Sequence, residues 1–245
     1  MSTLQDSLLL LRRAAEASRA ESGESSVLIG LSGGKDSVVV LDLAKRVFDR
    51  VECYFMYLVD GLECVEAPLR SIARRYNVRL HKVPHFDLAR FLKHAVYMPH
   101  RNGEAHRVRD LRFADIEALA RTRAGIGWVG LGHRATDSLE RNAMLKRLGG
   151  FDVKAHRVYP IWRWKPRDVY AYLRAHRIHV APQLVRGTTD GVNLYPETLR
   201  VLRAKFPADY RKILEVFPYA EAGIVRDELR KQWAAEGQQV PEVQG

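Results

Sequence analysis

The chain has few cysteines, and those present are not spaced for metal or disulfide chemistry. Only Cys53 and Cys64 occur in 245 residues, with no CxxC pair and no histidine at a spacing that suits zinc. Two cysteines cannot build a disulfide framework, and such sparse thiols are typical of a reducing compartment. The composition therefore predicts a cytoplasmic protein without a zinc or iron–sulfur centre.

Long apolar runs are also absent. No stretch approaches the roughly 18 to 20 apolar residues that a membrane-spanning helix needs, so no membrane partner is expected. The leucine run near the N-terminus has no basic region before it and no small-residue cleavage site after it, which argues against a signal peptide. Leu4, Leu8, Leu11 and Ala15 share one helical stripe. They predict a core-facing first helix over residues 3–20.

Acidic residues are scarce relative to basic ones. The chain carries 40 Lys and Arg against 29 Asp and Glu, a formal net charge of +11. Such a field attracts polyanions, so nucleotide phosphates and a DNA or RNA acceptor are both candidate partners. The basic segment His94–Arg112, which includes His100, Arg101, His106 and Arg107, points the same way. The alternative is a solvated loop on a protein that is merely basic.

Five apolar, strand-like runs alternate with helical segments through the first two thirds of the chain. They are Val27–Leu31, Val51–Val59, Val78–Pro84, Gly127–Gly132 and His156–Ile161. This alternation predicts an α/β fold with a doubly wound, mostly parallel five-stranded sheet of Rossmann-like type. Ligands of such sheets bind beyond the carboxyl ends of the strands, where the winding direction changes.

Helical character replaces the alternation after Ile161. We expect a nucleotide-binding α/β domain over residues 1–178, a C-terminal helical extension over 179–235 and a flexible tail over 236–245. In the last helix, Val225, Leu229 and Trp233 share a face, which predicts that this face packs against another element. The extension could form a lid, a docking surface or a dimer contact, so a homo-oligomer is one candidate assembly.

The most informative segment is Ser32–Ser37, SGGKDS, where the first strand meets a helix. Gly33 and Gly34 allow close approach of a ligand, and the following helix offers unpaired N–H groups and a positive dipole end. Lys35 adds a mobile charge, and the two serines add hydroxyls. Asp36 can stabilise the helix start or hold a Mg²⁺ ion that bridges phosphates. The segment predicts a phosphate site. Its spacing is not that of a Walker A loop, and an ordinary glycine turn is the alternative.

This hexapeptide resembles the pyrophosphate loop of the PP-loop (N-type) ATP pyrophosphatases, also called adenine nucleotide α-hydrolase-like proteins. The resemblance implies a HUP-type fold in which the loop holds the β- and γ-phosphates of ATP while an acceptor oxygen attacks the α-phosphorus. It implies ATP and Mg²⁺ as ligands, with nucleotide contacts from Leu31, Ser32, Gly33, Gly34, Lys35, Asp36 and Ser37.

Three further segments extend the resemblance. Val59–Glu63, VDGLE, is similar to the Asp-Thr-Gly turn of the sulfonucleotide (PAPS) reductase branch without its threonine. This implies nucleotide contacts from Val59 and Asp60, with Asp60 as a Mg²⁺ ligand; shaping of the turn is the alternative for Asp60.

The second of these segments is Gly132–Gly150, which resembles the second signature of these proteins and is similar to the Gly-His segment of tRNA lysidine synthetases. It implies that Gly132, His133 and Asp137 contact the nucleotide. Arg134 and Arg141, expected on one face of a helix over 135–148, would act with Lys35 and Asp36 in catalysis by gripping the α-phosphate or the acceptor. The alternatives are an ion-paired helix surface for the arginines and a turn cap for His133.

The segment Tyr159–Ile178 is similar to a stretch of PAPS-reductase-like proteins, so the resemblance covers about Val27–Ile178 and favours that branch. True sulfonucleotide reductases carry a catalytic cysteine in a C-terminal motif, and this sequence has no cysteine after Cys64. We therefore predict an ATP pyrophosphatase that adenylylates an acceptor, with a nucleobase of DNA or tRNA as the favoured class. The alternatives are a PAPS-binding protein or reductase, and a non-catalytic nucleotide-sensing or nucleic-acid-binding subunit.

Overall fold

The structure is a computed structural model, and it describes residues 3–99, 109–181 and 193–236. Within these ranges the chain is an α/β protein. Its elements, in chain order, are α1 (Thr3–Ser22), β1 (Ser26–Gly30), α2 (Lys35–Ala44), β2 (Arg50–Tyr57), α3 (Glu63–Tyr76), β3 (Leu80–Pro84), α4 (Phe86–Lys93), α5 (Phe113–Ala124), β4 (Val129–Gly130), α6 (Leu139–Leu148), β5 (Phe151–Asp152), β6 (Arg157–Val158), α7 (Pro166–Ala175), α8 (Pro196–Lys205), α9 (Pro207–Val216) and α10 (Ala222–Ala235).

The strands of the described residues form one mixed sheet in the order β3-β2-β1-β4-β6-β5. Every pairing is parallel except that of β5 with β6. The predicted doubly wound, mostly parallel sheet is thus confirmed, and the five predicted strands are all present. The predicted number of strands was one too low, because β5 is only two residues long and contains no apolar run from which it could be predicted.

The sheet changes its winding direction between β1 and β4. β1 pairs with β2 on one side and β4 on the other, with Ile29 opposite both Cys53 and Gly130. Residues Val27–Ile29 are fully buried, as expected for a parallel strand covered by helices on both faces. The carboxyl ends of β1 and β4 therefore flank the position where ligands of such sheets bind.

Several helix boundaries follow from local chemistry. α7, α8 and α9 each begin with a proline in the first turn, where a missing N–H costs nothing. α5 and α6 end at Gly125 and Gly149, both in the left-handed region that favours glycine. The predicted first helix, 3–20, extends two residues further in the structure.

The helix after β4 begins later than predicted. We expected it from residue 135, but α6 begins at Leu139. The carboxylate of Asp137 accepts the backbone N–H of Arg134 at 2.9 Å, which closes a turn, and the hydroxyl of Ser138 then caps α6 by accepting the N–H of Arg141 at 3.1 Å. Arg134 consequently precedes the helix and does not lie on its face.

The chain divides into two compact units. The first comprises Met1–Tyr57, Val65–His85 and Arg112–Pro182, and it contains the sheet. The second comprises Leu58–Cys64, Phe86–Leu111 and Gln183–Gly245. The predicted domain boundary at residue 178 stays a prediction. The predicted tail, after Glu236, lies outside the described residues, as does the part of the basic segment His94–Arg112 that carries His100, Arg101, His106 and Arg107.

The second unit has its own apolar core, built on α8, α9 and α10. Its fully buried members include Leu199, Leu202, Ile213 and Phe217. The predicted packing face of α10 is wrong: Val225 and Leu229 are 52% and 40% exposed, and the neighbouring Ile224 is buried instead. Among the described residues, no helix combines the length and the apolar character needed to cross a membrane.

Candidate functional site

Two strand-to-helix turns meet where the winding of the sheet reverses. The β1–α2 turn is Leu31–Gly34, and the β4–α6 turn is Leu131–Ser138. A Cβ atom added to Gly132 would lie 3.1 Å from the carbonyl carbon of Asp36 and 3.2 Å from the backbone nitrogen of Ser37. The second turn thus approaches the backbone of the first turn of α2 as closely as a glycine permits. The structure brings these two sequence-predicted segments together.

The β1–α2 turn presents backbone N–H groups. Gly33 has φ of +78°, a conformation that other residues rarely adopt. Gly34 is the N-cap of α2, and no side chain caps this helix. The first N–H groups of a helix have no partner within it, and the dipole favours negative charge there. The start of α2 is therefore prepared to bind an anion.

The side chains of this turn differ in their exposure. Lys35 Nζ donates to Asp36 Oδ2 at 2.9 Å, and both side chains are partly exposed. The exposed Ser32 has its hydroxyl oxygen 3.4 Å from the nitrogen of Gly34. Ser37 is buried and donates to the carbonyl oxygen of Gly34 at 2.8 Å. Leu31 is a buried core residue. Lys35 and Ser32 are therefore more accessible to a ligand than Ser37.

The β4–α6 turn contributes a buried arginine. The side chain of Arg134 is only 9% exposed and is flanked by two carboxylates. Its Nη2 donates to Asp137 Oδ1 at 2.9 Å, and its Nε lies 3.3 Å from Asp36 Oδ1. Within the described ranges, Arg134 Nε, Arg134 Nη1 and Asp36 Oδ1 are buried without a hydrogen-bond partner.

These unsatisfied atoms indicate what the site would accept. Leaving a buried polar group unpaired costs about 1 to 3 kcal/mol, and more for a charged group. Such groups in a folded protein are usually satisfied by a bound ion, a ligand or an ordered water. Two N–H donors of Arg134 lie beside Asp36 Oδ1, which is within ion-pair distance of Nε but accepts no hydrogen bond among the described residues. This arrangement fits an anion accompanied by a cation, as a phosphate with Mg²⁺ would be.

Arg141 differs from Arg134 in its surroundings. Its side chain is 47% exposed, and its Nη1 lies 3.4 Å from Asp137 Oδ2. Asp137 thus lies between the two arginines, with its own side chain largely covered. Arg134 is held in place, whereas Arg141 can change its conformation at small cost.

His133 is held as a neutral imidazole. Its ring stacks on Tyr159 with centroids 5.7 Å apart. Burial lowers the pKa of His133 to about 4; the positive charge of Arg141 adds to this effect, and Asp137 opposes it. At neutral pH the ring can therefore donate or accept a hydrogen bond without carrying charge.

Val59 and Asp60 belong to the second unit. Val59 is buried and Asp60 is exposed. Their turn is held from α9, where the buried Asp209 accepts the N–H groups of Glu63 and Cys64 at 3.0 and 2.8 Å. Burial acts to raise the pKa of Asp209, but the hydrogen bonds from Cys64 and Glu63 together bring it below its usual value.

The predicted roles of Val59 and Asp60 in binding nucleotide and Mg²⁺ stay predictions. Over the described residues, no group of three or more His, Cys, Asp or Glu side chains is arranged to hold a metal ion. A Mg²⁺ ion held by one carboxylate and by phosphate oxygens needs no such group.

The sequence did not single out Tyr170. This residue of α7 is half exposed, and Lys35 Nζ lies 5.9 Å from the centroid of its ring. A cation near an aromatic face is attracted by the ring. The contact between Lys35 and Tyr170 could not be predicted from the sequence, because it depends on the fold that brings α7 beside the start of α2.

A protein-family model identifies the family. The model of the phosphoadenosine phosphosulfate reductase domain matches residues 26–213, well over half of the chain. The chain belongs to this family. The PAPS-reductase-like resemblance of the sequence is thereby confirmed, and with it the assignment to the PP-loop superfamily. A family named for an enzyme of nucleotide chemistry is consistent with an enzyme that binds a nucleotide.

Solved structures resemble this family member only in their fold. They include a U34-tRNA thiolase, NcsA, from Methanococcus maripaludis with its 4Fe–4S cluster (15% identity, 99% of this chain and 83% of that chain, TM-score 0.48). An NH3-dependent NAD synthetase from Campylobacter jejuni has 14% identity over 100% of both chains and a TM-score of 0.44. A PAPS reductase from Candida auris has 16% identity over 69% of this chain and 81% of that chain, also with a TM-score of 0.44. Matches at this level say nothing about activity or ligand. A search of curated proteins found no match.

One of the two cysteines of this PAPS-reductase-family chain is poorly suited to thiol chemistry. Cys53 lies in β2 and is fully buried, and burial raises the pKa of its thiol far above the usual value. Cys64 is half-buried at the start of α3. A nucleophilic cysteine needs thiolate character and access, and Cys53 has neither.

Proposed function

We propose that the protein binds ATP at the β1–α2 turn, cleaves it between the α- and β-phosphates and transfers the adenylyl group to an acceptor. The observation that supports this most directly is the buried Arg134, whose Nε and Nη1 form no hydrogen bond among the described residues, beside the uncapped start of α2. Backbone N–H donors on one turn and a guanidinium on the adjacent turn suit a triphosphate, because its successive phosphates can each bind a different set of donors.

In this proposal the pyrophosphate part of ATP lies on the β1–α2 turn. The N–H groups at Gly33 and Gly34, with Ser32 and Lys35, hold the β- and γ-phosphates. As the bond to the α-phosphorus breaks, negative charge develops on the departing pyrophosphate. Donors already fixed in position stabilise this charge without rearrangement, which is usually the largest contribution to catalysis.

Arg134 and Arg141 have different roles in the proposal. Arg134 is buried and fixed, so it stabilises charge on the α-phosphate as the acceptor oxygen attacks. Arg141 is exposed and adjustable, so it contacts the acceptor. Asp36, through its free Oδ1, is the residue that would hold Mg²⁺ at this site. The ion supplies charge neutralisation on the leaving group. His133 supplies an uncharged hydrogen-bonding group.

Nucleic acid is the proposed acceptor class. The net charge of +11 favours encounter with a polyanion. An exposed aromatic ring, Tyr170, stands beside Lys35, and bases stack on such rings irrespective of sequence. A nucleobase oxygen of DNA or tRNA would then be adenylylated, which activates that position for replacement by another nucleophile.

A second candidate has PAPS or a related sulfonucleotide as its ligand. The family match favours it, because the matched domain is named for a reductase of that compound. Reduction by a cysteine of these 245 residues is disfavoured, since Cys53 is inaccessible and no cysteine follows Cys64. The cysteine content of the chain therefore agrees with a protein that binds the sulfonucleotide but does not reduce it.

Product analysis tests the proposal. Purified protein is incubated with ATP and Mg²⁺, alone and with total tRNA or duplex DNA, and the nucleotides are separated. We expect AMP-level products and pyrophosphate, increased by one of the nucleic acids. Lys35→Ala should slow this release, whereas Lys45→Ala, at the other end of α2, should not. Formation of ADP and phosphate would contradict the proposal. Binding of PAPS at least about tenfold tighter than ATP, a difference of about 1.4 kcal/mol, would favour the second candidate.

A further inference from the structure

Two Arg-x-x-Asp segments precede or begin helices in the first unit, and they provide an internal comparison. In Arg112–Asp115, the carboxylate of Asp115 accepts the backbone N–H of Arg112 at 2.8 Å. In Arg134–Asp137, the carboxylate of Asp137 accepts the backbone N–H of Arg134 at 2.9 Å. Both aspartates thus have the same local role of closing a turn of backbone.

The two arginine side chains differ. Arg112 is 81% exposed, and its Nε is 3.7 Å from Asp115, so its donors are accessible to water. Arg134 is buried, and its Nη2 donates to the second oxygen of Asp137 at 2.9 Å. Asp137 therefore has an additional role: it binds the guanidinium of Arg134 as well as its backbone.

A guanidinium is planar, and its five N–H bonds keep fixed directions relative to one another. A hydrogen bond at one nitrogen, together with the direction of the side-chain stem, therefore fixes the directions of the others. With Nη2 occupied by Asp137, the unsatisfied Nε and Nη1 have definite orientations. Asp36 alone would not fix them, because its Oδ1 lies 3.3 Å from Nε without forming a hydrogen bond.

We infer that Asp137 is a positioning residue for Arg134: it holds the guanidinium so that Nε and Nη1 remain free to bind the anionic group of the substrate. This inference rests on the proposed function for the identity of the anion, a nucleotide phosphate. Without Asp137, Arg134 turns further towards Asp36, whose Oδ1 already lies within ion-pair distance of Nε at 3.3 Å, and forms hydrogen bonds with it. That pairing withdraws the two donors from the ligand and also occupies the free oxygen of Asp36.

The first test is a double-mutant cycle read by calorimetric binding of ATP with Mg²⁺, because the proposed function places Arg134 at the α-phosphate, which inorganic pyrophosphate lacks. Asp137→Ala should weaken binding about tenfold in the wild-type background. In the Arg134→Ala background it should have no further effect beyond about twofold, because residues that act through one another are strongly non-additive. Asp115→Ala is the matched control, since it removes a turn-closing carboxylate of the same spacing, and it should leave binding unchanged.

The second test needs no ligand. The Nε–H resonance of Arg134 is assigned by its absence from the NMR spectrum of Arg134→Lys, and its exchange with water is measured. Asp137→Ala should accelerate this exchange or shift the resonance, and Asp115→Ala should not. Asp137→Asn serves if the alanine variant does not fold, because it keeps an oxygen for the backbone N–H and loses the charge that holds the guanidinium.

The outcomes separate this inference from the proposed function. ATP that fails to bind the folded wild-type protein would overturn the proposed function, and the NMR comparison would still decide the positioning role. Equal losses from Asp137→Ala in both backgrounds, or an Arg134 resonance that Asp137→Ala leaves unchanged, would overturn the inference and leave Asp137 as a turn residue like Asp115.

Discussion

The β1–α2 and β4–α6 turns occupy equivalent places in the fold and are prepared for an anion by different means. In the first, no side chain caps α2, so backbone N–H groups at the helix start remain available. In the second, Ser138 caps α6, and the buried side chain of Arg134 supplies the donors instead. One turn binds through its backbone and the other through a single side chain.

This difference has consequences for how each turn responds to mutation. Backbone donors are fixed by the helix and by glycine conformation, so single side-chain changes weaken such a site gradually. A buried guanidinium provides charge and direction at once, and a single substitution removes both. The following predictions are ordered from the largest expected effect to the smallest.

Arg134→Ala should cause the largest loss. Removal of one preorganised donor group that faces developing charge typically costs about 100-fold or more in rate. We expect a loss of at least that size in kcat/KM for pyrophosphate release, measured at saturating acceptor. Arg141→Ala, which removes an exposed arginine from the same turn, should cost about tenfold or less. A larger effect of Arg141→Ala would reverse the roles assigned to the two arginines.

Gly132→Ala should push the two turns apart. The added methyl would press on the backbone of Asp36 and Ser37 at 3.1 to 3.3 Å. Overpacking of this kind costs about 1 to 3 kcal/mol of stability, and we expect ATP affinity to fall as well. Urea unfolding and calorimetry would measure the two effects.

The matched control for Gly132 is Gly127→Ala, where the added Cβ meets nothing within 4 Å. This variant should retain the stability and the ATP affinity of the wild type. Equal ATP affinity in both variants would mean that the close approach of the two turns is not needed for binding.

His133 should make the second turn sensitive to acid. Its folded-state pKa of about 4 lies below the reference value of 6.5, so the unfolded chain binds the proton more readily. The contribution of the neutral His133 ring to the free energy of unfolding is complete above pH 6.5. It is lost as the pH falls toward 4, with a slope of at most about 1.4 kcal/mol per pH unit. Denaturant unfolding of wild type and His133→Gln across this range should show a shallower slope for the variant. Parallel slopes would contradict the assignment.

Ser138→Ala should give the smallest effect. Loss of an N-cap hydroxyl costs about 1 kcal/mol of stability, and ATP affinity should stay within about twofold because Ser138 satisfies only the helix. Ser32→Ala, in the other turn, should show the reverse: a stability within about 0.5 kcal/mol of wild type and a lower ATP affinity. Calorimetry and urea unfolding of both variants would show whether Ser138 contributes to stability alone and Ser32 to ATP binding alone.

The sequence was most informative where the chemistry is local. The six residues SGGKDS were sufficient to predict a glycine turn followed by the start of a helix. The alternation of apolar runs was sufficient to predict the doubly wound sheet. It was less informative about β5, because two residues form no recognisable pattern. It was also less informative about the start of α6, which is fixed by two hydrogen bonds: Asp137 accepts the N–H of Arg134, and Ser138 accepts the N–H of Arg141.

Contacts between distant segments could not be predicted. The buried Asp209 binds the N–H groups of Glu63 and Cys64 from a helix far along the chain. The proximity of Tyr170 to Lys35 likewise depends on tertiary packing. The face of α10 was misjudged because helical periodicity identifies apolar stripes but does not say which stripe finds a partner, and Ile224 was buried in place of Val225.

The most direct test of the central claim, that the β1–α2 turn holds the phosphates of a nucleotide, is calorimetric titration of wild type, Lys35→Ala and Lys45→Ala with ATP in Mg²⁺. The two lysines lie at opposite ends of α2. We expect Lys35→Ala to weaken ATP binding by about tenfold or more, at least about 1.4 kcal/mol, and Lys45→Ala to bind as wild type does. Equal binding by all three folded proteins, or no binding by any, would contradict the account.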